Sequence, residues 1–61
     1  MKRAEALTQA ALALRTLLMR SEEAGNQRDA YVVESMGGPE TVREIIDDVE
    51  ATARQYQRRR R

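Results

Sequence analysis

The sequence predicts an all-α protein. Two long amphipathic helices, at about residues 3–24 and 39–57, form a hairpin, joined by a short helical connector at about 27–36. Three observations carry this expectation. Ala4, Leu7, Ala11, Leu14 and Leu18 follow one another at steps of three, four, three and four. Val42, Ile46, Val49, Ala53 and Tyr56 do the same at four, three, four and three. Between the two series stand Gly25-Asn26 and Gly37-Gly38-Pro39, the strongest helix-breaking signals present. A three-four repeat lays one apolar stripe along one helix face, and such a stripe needs a facing helix.

The first helix is rich in Ala, Leu, Arg, Glu and Gln, all strong helix formers. Its alanines at 4, 10, 11 and 13 allow close backbone approach, while Leu7, Leu14, Leu17 and Leu18 supply bulk. Leu12 and Met19 fall away from the seam, so the apolar face is wider than a two-stranded coiled coil needs. This favours contact with more than one neighbour. Gly25 is a left-handed terminator for this helix.

Asn26 then caps the connector, with Asp29 three positions on. Tyr31-Val32-Val33 is prone to β structure, but a lone strand has no partner in so short a chain. The preferred reading of 27–36 is a short helix. An irregular or extended segment, or one helix running from 3 to 36 across Gly25, are the alternatives.

Gly37-Gly38 ends the connector, and Pro39 suits the first position of a new helix. Glu40, Glu44, Asp47 and Asp48 load its early turns with negative charge, and Arg54 and Arg58 load its end with positive charge. Both agree with the helix dipole. Glu40–Arg43 and Glu50–Arg54 have the spacing of favourable pairs along the helix. Residues 1–57 read as a single helical domain and 58–61 as a basic C-terminal tail.

At 61 residues the chain is one domain at most. A chain this short buries only ~60% of its unfolded surface. It has no Phe, Trp or Cys, so neither bulky aromatics nor a disulfide reinforce the core. Association is the remaining route to stability, and the expected assembly is a homodimer forming a four-helix-type bundle, or a heteromeric complex in which the first helix docks on another protein. Lack of Cys fits a reducing compartment, and a cytoplasmic location is expected.

The net charge of +1 hides segregation. Residues 1–20 carry a net +3, residues 21–53 a net −7, and residues 54–61 a net +5. Such asymmetry points to charged partners or charge-guided assembly. Met1-Lys2-Arg3 before an Ala-Leu stretch resembles a secretory leader, but Glu5, Gln9 and Arg15 interrupt the apolar run. No stretch approaches the ~18 apolar residues of a membrane span.

Several function classes find no support in the residues. With neither His nor Cys, the usual bases, nucleophiles and zinc ligands are missing. The acidic ridge of the last helix lacks the Glu-x-x-His pairs of carboxylate-bridged metal bundles, and one solvated ridge is a poor magnesium or calcium site. Ser21, Ser35, Thr8, Thr16, Thr41 and Thr52 have no activating base at fixed spacing. No enzyme activity, cofactor, metal or small-molecule substrate is expected, and no membrane partner.

The expected function is that of a small regulatory or adaptor protein that binds through helix faces, by self-association or by occluding a protein partner. Its expected interface is Leu7, Ala11, Leu14, Leu18, Val42, Ile46, Val49, Ala53 and Tyr56. The alternative is a nucleic-acid-binding accessory protein using Arg58, Arg59, Arg60 and Arg61. Four arginines without aromatics supply charge rather than base readout.

Overall fold

A computed structural model describes residues 2–58 and bears out the helical hairpin with its helical connector. Its elements are α1 (Arg3–Ser21), α2 (Gln27–Ser35) and α3 (Pro39–Arg58). Arg59, Arg60 and Arg61 of the expected tail lie outside the described residues. Arg58, assigned to that tail, is instead the last residue of α3.

The first helix stops three residues before its expected end at 24. The Glu22 and Glu23 amides donate to the Met19 and Arg20 carbonyls at 3.2 and 3.1 Å, a tightening that closes the last turn. Gly25, at φ 82°, then turns the chain. The continuous 3–36 helix is thereby replaced by two helices. Asn26 caps the second: its Oδ1 accepts from the Asp29 amide at 3.3 Å, and its Nδ2 donates to the Asp29 carboxylate at 2.8 Å. The β-prone run is helical because Val33 reaches the core from a helix, where it is almost fully buried.

The second break is a left-handed cap. Gly37 donates to the Glu34 carbonyl and Gly38 to the Val33 carbonyl, each at 3.0 Å, with φ of 113° and 97°. This paired pattern satisfies the carbonyls left over at the end of α2. Pro39 starts α3 directly, and the Val42 amide bonds back to the Gly38 carbonyl at 3.1 Å. The break therefore redirects the chain from α2 into α3 while Val33 and Val42, on either side of it, stay in the core.

Helices α1 and α3 run antiparallel and form the main interface, with α2 packed chiefly on α1. Ala11, Leu18, Val33, Val42 and Ile46 make the core, with Leu14, Leu17, Met36 and Val49 packed against it. Ala4 and Ala53 are buried towards the other end. The resulting rod measures 46 × 19 × 13 Å. Because α2 covers only one side of the connector half, the opposite side of the α1–α3 pair stays open.

Candidate functional site

The two seams meet inside the chain. Ala11, Leu18, Val42, Ile46 and Ala53 are buried, and Leu7, Leu14, Val49 and Tyr56 are half-buried. A three-four stripe on each antiparallel helix thus finds its facing helix within one molecule. The apolar surface left over lies beside the seam, at the two positions that depart from it. Leu12 is 56% and Met19 70% exposed. They are seven residues apart on α1, which places them on one face two turns from each other.

Met19 also lines an open groove of about 320 Å³ between α1 and α3. Leu18 and Ile46 supply its apolar floor, and Arg15, Glu22, Arg43 and Asp47 its charged rim. The rim holds both signs, so it sets orientation rather than attracting one kind of ion. The sequence marked Leu12 and Met19 as outliers. It did not reveal the groove, which needs α1 and α3 in register.

One ion pair within 4.0 Å joins the helices among the described residues. Arg15 donates from Nη2 to both Glu50 oxygens at 2.9 and 3.0 Å, and from Nε to Oε2 at 3.2 Å. These hydrogen bonds hold the Glu50 carboxyl below the usual carboxylate range against the opposing effect of burial, with the positive fields of Arg15 and Arg54 adding to them. They likewise raise the Arg15 pKa. Glu50 is therefore committed across the hairpin rather than to Arg54, and the expected Glu40–Arg43 pair is not closed either. Helical spacing identifies residues that can meet along one helix, but a facing helix offers a competing partner.

The hydroxyls considered for catalysis serve the backbone. Thr8, Thr16, Ser21, Ser35, Thr41 and Thr52 each donate to a carbonyl three or four residues earlier, at 2.6–3.0 Å. Among the described residues no three acidic side chains converge on a point where a metal could bind. None of the described helices is long and apolar enough to cross a membrane.

At the far end, Arg3 lies over the Tyr56 ring, 5.6 Å from the guanidinium carbon to the centroid. The contact brings the start of α1 against the last turns of α3. No protein-family model, curated protein or solved structure matches the chain.

Proposed function

We propose that the chain is a small, non-enzymatic adaptor or regulatory protein that works in the cytoplasm by helix-mediated protein binding, first of all to a second copy of itself. The observation that carries this is the exposed Leu12–Met19 face beside the apolar floor of the groove. Two apolar residues seven positions apart are self-complementary in an antiparallel helix pair. Leu12 of one copy meets Met19 of the other, and Met19 meets Leu12, a contact that closes on itself as a twofold dimer. Two facing hairpins give the four-helix arrangement expected from the sequence. The seam residues then support the contact from behind, and the mixed rim of Arg15, Glu22, Arg43 and Asp47 selects the partner.

Sedimentation of the full-length chain against a Leu12→Gln/Met19→Gln variant tests this reading. The expected result is a dimer mass for the parent and a monomer mass for the variant, with equal helicity. A monomer mass for the parent at tens of micromolar overturns self-association. The rival role in nucleic-acid binding uses the opposite end of the molecule, where the fold adds residues to those the tail supplies.

A further inference from the structure

The end of the rod away from the connector is made by both ends of the described chain. α1 begins there and α3 finishes there, with Arg3 stacked on Tyr56. Lys2 and Arg3 therefore stand beside the turns that carry Arg54 and Arg58, and all four cations are exposed. Glu5 is the only acid in the first two turns of α1, and α3 has none beyond Glu50. The helix dipoles do not weaken this patch, because the positive end of α1 lies beside the negative end of α3. The other end of the rod gathers Glu22, Glu23, Asp29, Glu34, Glu40 and Glu44 against Arg20, Arg28 and Arg43. The near-neutral chain is thus a dipole about 46 Å long.

We propose that Lys2, Arg3, Arg54 and Arg58 form one composite site for the phosphate backbone of nucleic acid, on which the molecule stands end-on. This goes beyond a basic tail, since folded residues from both helices make the site. It is independent of the docking groove. Arginine matches phosphate with two parallel donors, and stacking on Tyr56 holds Arg3 in place. The covered Tyr56 ring face offers no platform to a base, so binding is to the backbone without sequence readout. Lying on α3 would press Glu40, Glu44, Asp47 and Asp48 against the phosphates, so repulsion disfavours that approach.

The other anionic surfaces fit less well. Among the described residues the exposed large apolar side chains, Leu12, Met19, Tyr31 and Val32, lie in the middle and last turn of α1 and on α2, away from this end, where an amphipathic lipid contact would need them. Stacking on the acidic end of a second copy would be head-to-tail and would not close.

The test is fluorescence anisotropy of the full-length chain with a labelled mixed-sequence DNA duplex at 50 and 200 mM salt. The variants are Lys2→Gln/Arg3→Gln and Arg54→Gln/Arg58→Gln, both with the tail intact and with helicity checked by circular dichroism. The parent is expected to bind and to weaken steeply with salt. Each double variant should bind more weakly and lose about tenfold of that salt effect, at roughly 0.9 log units per log of salt for each phosphate contact. Arg3→Lys keeps the charge but loses the paired donors, so it should keep the parent's salt dependence while binding more weakly. Four results overturn the proposal: no binding by the parent, unchanged binding by the Lys2/Arg3 variant, preference for phosphatidylserine vesicles over the duplex, or end-to-end association abolished by the same variants.

Discussion

The two ends of the rod are built by different means. At the connector end three helices meet, and Leu18, Val33, Val42 and Ile46 pack together. Asn26 caps the start of α2 there, and Gly37-Gly38 closes its end. At the far end only two helices remain. Its buried residues are Ala4 and Ala53, Arg3 covers Tyr56, and Lys2, just ahead of α1, provides no side-chain cap. Buried alanine contributes little apolar area, whereas each buried valine, leucine or isoleucine contributes ~1.5–3 kcal/mol. Stability is therefore concentrated at one end and clustered positive charge at the other. The end that holds the fold together is not the end best suited to a polyanion.

The largest expected effect tests that asymmetry directly. Ile46→Ala removes a side chain only 2% exposed from the three-helix end and should cost about 2–5 kcal/mol. Leu7→Ala removes a half-buried one from the two-helix end and should cost about half as much, because less area leaves water there. Urea denaturation followed by circular dichroism gives both values. Equal losses would mean that the ends are equally packed, and the comparison would fail.

A smaller effect separates the two glycines of the α2–α3 break. Both sit at positive φ, where an L side chain is strained by roughly 1–2 kcal/mol. A Cβ on Gly37 would also meet Thr41 Oγ1 at 2.9 Å, whereas one on Gly38 would meet nothing within 4 Å. Gly37→Ala should therefore destabilise more than Gly38→Ala. Thermal melts of the two single variants rank them. The opposite order would show that the turn relaxes away from Thr41 at little cost.

The sequence made the connector end legible because its signals are local. Asn26 with Asp29, and Gly37-Gly38 before Pro39, state a cap and a break within a few residues, and both work as written. The seams were legible as stripes too, but a stripe does not say whether its partner is another helix of the same chain or a second copy. Intrachain packing covers the seams, which moves attention to Leu12 and Met19. The groove depends on how α1 and α3 align, and that alignment follows from the packing of Leu18 against Ile46 and Val42. The Arg15–Glu50 pair and the basic end are harder still to read. Each joins residues more than thirty positions apart, and local spacing offered Glu50 the nearer Arg54.

The smallest effect lies midway, where Arg15 and Glu50 bridge the two halves. Hydrogen bonding to Arg15 lowers the folded-state pKa of Glu50, so the pair stabilises the fold in full above the unfolded-state value, about 4.3. As the pH falls below that value, the unfolded chain takes up the proton first and the contribution shrinks. It is gone once the pH has passed below the folded-state pKa. Arg15 remains charged throughout this range. Glu50→Gln should therefore lower the thermal midpoint at neutral pH, and the deficit should shrink as the pH falls below about 4.3, apart from any change in packing. Both partners are accessible, so added salt should narrow the neutral-pH difference as well. A deficit that persists undiminished in acid would assign Glu50 a packing role instead. The two halves would then be joined there by contact rather than by charge.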